Sequence, residues 1–496
     1  MRNVLQTWTS AQVRAAEEPL LAAGVPLMGR AAFALHVWVA DALRDRRGTL
    51  TGARVVVLVG PGNNGGDALH AGALLARRGV EVHAVLTADR VHQGGLTALR
   101  AAGGRVLRLE RLEDAAALAV GADLVLDGVL GIGSDGSGLR GAAGALVEAI
   151  VQRGRPYVVA VDVPSGLGVD DGRREGVVLD ADLTVSFGTL KPGLVLPPGA
   201  RAAGRVEHVD LGLEPAGAPA VVRLEAADVA DLWPVPAPDA HKYTRGVVGV
   251  VAGSRAYAGA AVLTTSGAVR AGVGMVRYLG DVADLVVAAH PEVVVGHGRV
   301  QAWVFGPGVS PDDAGQRRRI EYAVQHVRER GEPAVVDAGA LDLLPPHVGP
   351  HAVITPHAGE LARLLGQRGE AVDRADVEAE PLRWARRAHE LTGATVLLKG
   401  PVTVVVGARG AVYAQADAPP WLATAGAGDV FAGLLGALLA GRAQAVQEDP
   451  SLAAALAAAA ALVHGRAAHR ANPGGPVAAQ AVADALPGTI AELLGA

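Results

Sequence analysis

Short apolar runs alternate with helix-like stretches along most of the chain, and this alternation limits the fold more than any other feature of the sequence. In the first half, runs such as Arg54–Val59 are separated by Ala/Leu/Arg segments with helical spacing, such as Ala68–Arg78. A second series begins at Val247 and leads into long Ala-rich helices. Strands that alternate with helices predict mostly parallel, helix-covered sheets, so we expect an α/β protein.

The same pattern predicts individual strands. In the first half we expect them at Arg54–Val59, Val80–Leu86, Val106–Leu109, Leu124–Leu126, Tyr157–Val163, Leu183–Phe187 and Arg205–Val209. In the second half we expect Val247–Ala252, Trp303–Gly306, Ala334–Asp337, Ala352–Thr355, Thr395–Lys399, Val402–Val406 and Ala411–Tyr413. Residues 213–240 contain five prolines, which suit a connector rather than a core element, so we place a domain boundary near 213–220.

Composition excludes several classes of protein. The formal charge of −5 argues against binding nucleic acid through phosphate neutralisation. The chain has no Cys, which excludes disulfides, thiolate nucleophiles and Cys-ligated zinc. The apolar run Leu452–Val463 is too short to span a bilayer and is interpreted as a buried helix, and the N-terminus has no apolar signal core. We therefore expect a soluble, cytoplasmic protein without a nucleic-acid or membrane partner.

A polar, glycine-rich loop follows the first predicted strand. Residues 60–67 read GPGNNGGD and precede a helix, with the GxGxxG spacing of a dinucleotide-binding turn. Residues 131–136 have the same spacing, so the pattern alone does not distinguish a ligand loop from a tight structural turn. The Asn and Asp side chains add donors and acceptors that suit a phosphate at a helix N-terminus or a hard cation.

Two more loops of the first half carry acids at the ends of apolar strands. Asp127 begins one loop, and Asp162 begins another that includes Ser165. An acid in such a place is costly unless it is paired or used, although each one alone is more often a turn cap. Open α/β sheets bind ligands at the carboxyl ends of their strands, so we expect the three loops to form one pocket.

The segments GPGNNGGD, DGVLGIG, VDVPSG and FGTLKPGL together resemble the NAD(P)H-hydrate epimerase family over roughly residues 5–212, which gives a predicted first domain of residues 1–212. The resemblance implies a Rossmann-like fold that interconverts the R and S forms of a hydrated nicotinamide nucleotide. It implies that Asp162 is the acid/base, and that Asn64, Asp127 and Ser165 bind potassium. Besides Asp162, it implies substrate contacts at Asn63, Asn64, Gly65, Gly66, Asp67, Gly131, Ile132, Gly133, Ser134, Asp135, Gly136 and Ser137. Ala68 departs from the family, which usually has Gly there.

In the second half, residues 424–429 read TAGAGD and precede a helix. Small residues let backbone amides converge on a phosphate at a helix N-terminus, and an Asp inside that turn can take a proton from an approaching hydroxyl. A capped helix packed tightly through glycine remains the structural alternative. The GAGD motif resembles the ribokinase-like superfamily, and the sequence has no GxxxxGK[ST] phosphate loop.

GAGD belongs to an ordered set with PDAHK, AGS, FGPG, TPHAGE and LKGPVT, and the set resembles the ADP/ATP-dependent NAD(P)H-hydrate dehydratases over roughly residues 222–492. The resemblance implies a ribokinase-like α/β domain, a homo-oligomer, and magnesium bound with ADP. It implies that Asp429 is catalytic, that Ala260, Gly308, His357 and Asp429 contact substrate, and that Lys399, Gly400, Pro401, Val402, Thr403 and Gly428 bind nucleotide. Without the resemblance, His357 would be a helix cap and Lys399 a solvated charge at a strand end. Asp337-Ala338-Gly339 departs from the family's Asp-Ala-Asp.

The two resemblances imply a bifunctional repair enzyme whose partners are NAD(P)H hydrates and ADP or ATP. Likeness to bacterial members favours ADP, which would yield AMP and phosphate. One alternative is a ribokinase-like small-molecule kinase with a non-catalytic Rossmann-like regulatory domain. Another makes the first half a scaffold. An NAD-dependent dehydrogenase is disfavoured, because no substrate domain with a His/Asp pair is evident in the sequence.

Overall fold

The computed structural model describes residues 5–310 and 313–495. The chain divides into two compact units, one of residues 6–220 and one built mainly from residues 221–496. Up to residue 220 the elements are β1 (Leu5–Thr7), α1 (Ser10–Ala22), α2 (Leu27–Arg47), β2 (Arg54–Val59), α3 (Asn63–Ala76), β3 (Glu81–Leu86), α4 (Gln93–Ala101), β4 (Arg105–Arg108), α5 (Leu112–Val120), β5 (Leu124–Gly128), α6 (Gly141–Arg153), β6 (Val158–Val161), β7 (Leu183–Phe187), α7 (Gly199–Ala202) and β8 (Arg205–Val209).

The first unit is built on a seven-stranded sheet of order β4-β3-β2-β5-β6-β7-β8, in which every neighbouring pair is parallel. Its central strands are buried along their whole length, as expected for Val/Leu runs covered by helices on both faces. Strand order reverses between β2 and β5, and an open α/β sheet binds ligands at such a point. The loops after β2, β5 and β6 therefore share one edge of the sheet.

The remaining elements belong to the second unit. They are β9 (Val221–Arg223), α8 (Ala226–Leu232), β10 (Val247–Val251), α9 (Ala258–Arg270), β11 (Met275–Tyr278), α10 (Ala283–Ala289), β12 (Val294–Val295), β13 (Ala302–Phe305), α11 (Ala314–Arg330), β14 (Ala334–Val336), β15 (Ala352–Ile354), α12 (Ala358–Gly366), α13 (Arg374–Ala379), α14 (Pro381–Thr392), β16 (Thr395–Leu398), β17 (Thr403–Val406), β18 (Val412–Gln415), α15 (Ala427–Gly441), α16 (Ala443–Glu448), α17 (Leu452–Ala471) and α18 (Ala479–Leu493).

The sheet of the second unit has the order β9-β18-β17-β16-β15-β14-β13-β10-β11-β12. Its strands pair in parallel except in the hairpins β16-β17 and β17-β18, which are antiparallel. Helices α15 and α17 lie in its core and are buried over most of their length. By length and composition α17 could span a membrane, but most of it is packed inside the unit, so the buried helix predicted there is confirmed.

The α/β fold class is confirmed in both units, and one expectation about the linker needs correction. Within the predicted connector 213–240, residues 221–232 form β9 and α8. Leu224, Val229 and Trp233 are buried in the hydrophobic core of the second unit. The prolines that suggested a connector lie on either side of this segment and leave it free to fold.

Candidate active sites

A cavity of about 530 Å³ opens at the carboxyl edge of the first sheet. It is lined by Asn63, Asn64, Asp67, Gly131, Ile132, Gly133 and Asp162 from the predicted set, and also by Arg14, Glu17 and Lys191. The predicted residues Gly65, Gly66, Ser134, Asp135, Gly136 and Ser137 are not in its lining. Gly65 packs where a Cβ would stand 2.4 Å from the carbonyl oxygen of Gly60, so it shapes the turn that presents its neighbours.

Asp162 and Lys191 form a buried ion pair at the floor of this cavity. Lys191 is 1% exposed, and its Nζ also donates to the carbonyl oxygen of Phe187 at 2.8 Å. The backbone N–H of Phe187 donates to Asp162 Oδ1 at 3.2 Å. Asp162 has φ of 66°, the left-handed region that a non-glycine residue seldom adopts outside functional sites. The sequence prediction named Asp162 but not Lys191, although a lysine within the otherwise apolar FGTLKPGL was a usable signal.

Two more carboxyl groups face the same cavity. Burial raises the pKa of Asp67 well above its usual range, and the negative charges of Asp162 and Glu17 raise it further. Burial likewise raises the pKa of Glu17, while Lys191 acts to lower it. The three carboxyl groups outnumber the two basic side chains of the cavity, those of Arg14 and Lys191, and this excess of acids favours keeping a proton on the cluster.

The predicted potassium ligands Asp127 and Ser165 are in direct contact. Asp127 is fully buried, and its oxygens accept from Ser165 Oγ at 2.7 Å and from the Ser165 amide at 2.9 Å. Burial raises the pKa of Asp127, and the hydrogen bonds from Ser165 act to lower it. The carbonyl oxygen of Leu130 lies 3.1 Å from Ser165 Oγ, and the buried Nδ2 of Asn64 has no hydrogen-bond partner. A buried carboxylate beside hydroxyl and carbonyl oxygens is a set that fits a hard monovalent cation.

In the second unit, the GAGD turn is the N-terminus of α15. Gly426 has φ of 88°, and a Cβ there would stand 2.4 Å from the Leu263 side chain, so this position needs glycine. Asp429 lies in the first turn of the helix. Burial and the negative charge of Asp337 raise the pKa of Asp429 to about 6, against the opposing effect of Lys399. A carboxyl group with that pKa is suited to accept a proton near neutral pH.

Near Asp429, Lys399 contacts two other acids. Its Nζ lies 2.8 Å from Asp337 Oδ1 and 3.8 Å from Glu360 Oε2. Burial acts to lower the pKa of Lys399, but the carboxylates of Asp337 and Glu360 outweigh it and raise the pKa above its usual value. A Cβ on Gly428 would lie 3.7 Å from Lys399 Nζ, so the GAGD backbone faces this charge cluster. Lys399 is therefore a paired, partly buried lysine rather than a fully solvated charge.

Some of the other predicted residues of this unit adjoin the cluster, and others pack on one another. His357 is the N-cap of α12: its Nδ1 accepts from the amides of Gly359 and Glu360, as the structural alternative expected. Its backbone also bridges to Lys399. Gly308 packs directly against Ala260. Gly400, Pro401 and Val402 form the turn between β16 and β17, and Thr403 begins β17.

His464 lies behind the GAGD turn and was not anticipated from the sequence. Its ring packs edge-to-face on Phe431, with centroids 5.6 Å apart, and it is buried on α17. Burial lowers the pKa of His464 to about 4, against a hydrogen bond with the backbone of Ala427. The imidazole is therefore neutral at physiological pH, and it contacts the N-terminal part of α15.

Known proteins resemble both units. A sequence model of the NAD(P)H-hydrate dehydratase family matches residues 248–487, and one described as the YjeF-related protein N-terminus matches residues 25–193. The bifunctional NAD(P)H-hydrate repair enzyme Nnr of Mycobacterium tuberculosis is 45% identical over 86% of this chain and 88% of its own length. The corresponding enzyme of Mycobacterium leprae is 44% identical over 87% of this chain and 89% of its own length.

Single-domain proteins match each half separately. The NAD(P)H-hydrate epimerase of Clavibacter sepedonicus is 48% identical over 45% of this chain and 96% of its own length. The solved ADP/ATP-dependent NAD(P)H-hydrate dehydratase of Bacillus subtilis, co-crystallised with ATP and Mg²⁺, is 25% identical over 55% of this chain and 98% of its own, with a TM-score of 0.47. The identity and coverage of the full-length relatives confirm the resemblance seen in the sequence: this chain belongs to the family of bifunctional NAD(P)H-hydrate repair enzymes.

Proposed function

We propose that the two units catalyse successive steps in the repair of hydrated nicotinamide cofactors. Residues 6–220 interconvert the R and S epimers of NAD(P)H hydrate, and residues 221–496 dehydrate the S epimer at the expense of ADP, giving AMP and phosphate. Family membership supports the pair of activities. The observation that carries the proposal is the partly buried Asp429, with a pKa of about 6, at a helix N-terminus near Lys399.

The second unit has the groups that dehydration needs. Hydroxide is a poor leaving group, and a phosphoryl group on the same oxygen turns it into a good one. Asp429 would take the proton of the C6 hydroxyl as its oxygen attacks the phosphoryl group, and the amides of residues 426–428 would stabilise the transferring charge. Phosphate then leaves C6, a proton leaves C5, and the C5=C6 double bond of the dihydronicotinamide is restored.

Magnesium fits the charge cluster around Lys399. The carboxylates of Asp337 and Glu360 would share it with phosphate oxygens, because Mg²⁺ is usually held by one or two carboxylates together with substrate phosphates. Bound there, the ion would neutralise charge on the nucleotide. Lys399 would then add a fixed positive charge on the same side of the site.

In the first unit, epimerisation requires loss and return of water at C6. Asp162 would serve as acid/base, with Lys191 fixing its orientation through their ion pair. Asp127, Ser165 and Asn64 would hold potassium, which would neutralise the buried Asp127 and anchor the loop that follows it. We also propose that the enzyme is a cytoplasmic homo-oligomer, as the resemblance to its family implies.

One assay tests both activities. The full chain is given an equilibrated mixture of the NADH hydrate epimers with ADP, magnesium and potassium, and the absorbance of dihydronicotinamide is followed. We expect complete recovery of NADH with wild type, and recovery of only the initial S fraction plus a slow spontaneous phase with Asp162→Ala. No recovery with either ADP or ATP would contradict the dehydratase assignment. A stable phosphorylated product would favour the kinase alternative instead.

A further inference from the structure

Helix α1 carries a carboxyl group into the epimerase cavity from outside the segment that the N-terminal family model covers. That model matches residues 25–193, whereas Glu17 lies on Ser10–Ala22. Glu17 nonetheless lines the cavity together with Asp67, Asp162 and Lys191. The groups that face it are Arg14 on its own helix, Asp67 on α3, Asp162 after β6, and Lys191.

Contacts of the N-terminal half of α1 fix Glu17 in this place. A capping box between Thr9 and Gln12 begins the helix. The Ser10 amide and hydroxyl donate to the Asp170 carboxylate at 2.7 and 2.8 Å. One turn before Glu17, Val13 is buried, and Arg14 Nη2 donates to the carbonyl oxygen of Ile132 at 2.8 Å. The helix is thus tied to a loop that lines the same cavity.

The carboxyl groups of Asp162 and Glu17 have different charged neighbours, and this difference indicates different roles. Lys191 is committed to Asp162 through a direct, buried ion pair. Glu17 is half-buried, and its pKa is raised by burial, opposed by the positive charge of Lys191. A carboxyl group whose pKa is raised holds its proton closer to neutral pH and can donate it.

The reaction itself calls for two proton-transferring groups. The R and S hydroxyls project from opposite faces of the ring, so departure from one face and return to the other need separate partners. We infer that Glu17 is the second proton-transferring carboxyl group of the epimerase, acting with Asp162 in the same cavity; this rests on the proposed epimerase function.

In one direction, Glu17 donates its proton to the C6 hydroxyl and the C–O bond breaks. Water leaves, and the N1 lone pair forms a C6=N1 iminium. Water then adds to C6 from the other face, the π electrons return to N1, and Asp162 accepts the proton that the water loses. After the turnover, Asp162 releases that proton to solvent and Glu17 takes one up, which restores both carboxyl groups, so neither an oxidant nor a second substrate is consumed.

The test compares Glu17→Gln with Glu18→Gln, a matched control that removes an exposed carboxylate one residue away on the same helix. Pure R epimer is supplied to the full chain without ADP, and its conversion to the S epimer is followed across pH. We expect Glu17→Gln to lower kcat by about 10²–10⁴-fold with KM within about twofold, and to remove one ionisation from the pH profile. Glu17→Asp should recover part of kcat, and Glu18→Gln should match wild type.

Dehydration of pure S epimer with ADP serves as the folding control and should be unchanged in all three variants. A wild-type kcat in Glu17→Gln would overturn the inference, as would a raised KM at unchanged kcat, which would make Glu17 a binding residue. If Glu17→Gln misfolds, a Glu17→Asp pH profile identical to that of wild type would overturn it. Wild-type protein that does not interconvert the epimers would instead refute the proposed epimerase function, and the inference with it.

Discussion

Both units place an acid close to a lysine beside the sheet, buried in the first unit and partly buried in the second, but they connect the two groups differently. In the first unit Lys191 pairs directly with Asp162. In the second, Lys399 pairs with Asp337, and Asp429 is left without it as a direct partner. The first acid therefore has a cation as its direct partner, whereas burial and the negative charge of Asp337 raise the pKa of the second to about 6. Position at a sheet edge does not by itself determine how an acid behaves; the partner of the lysine does.

The largest expected effect is on catalytic rate, and it tests whether Asp429 serves only one of the two activities. Asp429→Asn removes the proposed base but keeps its shape, and we expect kcat for dehydration of S epimer to fall at least about 10³-fold. Interconversion of the epimers should continue at the wild-type rate, because Asp429 belongs to the other unit. Measuring both rates on the same preparation makes each activity the control for the other. Equal losses of both would contradict the assignment of one reaction to each unit.

The next prediction concerns stability of the first unit. Asp162→Asn leaves Lys191 buried without its partner, which should cost about 3–5 kcal/mol of unfolding free energy. The double variant Asp162→Asn with Lys191→Met removes both charges and should recover most of that loss while remaining inactive as an epimerase. Denaturant titration measures the stability. A double variant no more stable than Asp162→Asn alone would show that the cost does not come from the unpaired lysine.

Asp429→Asn should have the opposite effect on stability and raise the unfolding free energy of the second unit. The folded pKa of Asp429 is about 6 and the ordinary value is 3.8, so the folded state loses stability as pH rises between these values. Above that window, removing the charge should stabilise the second unit by about 2–3 kcal/mol, and below pH 4 the gain should vanish. Thermal unfolding at several pH values checks this. A pH-independent difference would mean that packing, rather than ionisation, accounts for it.

Most strands of the fold could be predicted from the sequence, but not all. Strands β2, β7 and β8 have the predicted bounds: β2 is almost entirely Val and Leu, and β7 and β8 are short segments in which apolar residues alternate with polar ones. Strands β1, β9, β11 and β12 were missed: β1, β9 and β12 are very short, and β11 is interrupted by Arg277.

The sites were predictable only in part. Motifs located Asp162 and Asp429, whose roles stay predictions, but could not identify which residue each lysine binds. Lys399 and Asp337 are 62 positions apart, and nothing in either local sequence pairs them. Glu17 was missed for the same reason, since only the packing of α1 brings it to the cavity.

The smallest predicted effect concerns His464, which contacts the helix turn that carries Asp429. The neutral His464 ring is hydrogen-bonded to the backbone of Ala427, two residues from the proposed base, and packs on Phe431. His464→Phe keeps the ring but loses that hydrogen bond, and we expect kcat for dehydration to fall about tenfold, the rate equivalent of one hydrogen bond. His464→Gln retains a donor and should fall by less. Because the histidine is neutral throughout, the pH dependence that Asp429 gives to kcat should be the same in wild type and both variants. A lost or displaced ionisation would mean that His464 takes part in the proton transfer, which would make the second site, like the first, dependent on a pair of ionisable groups.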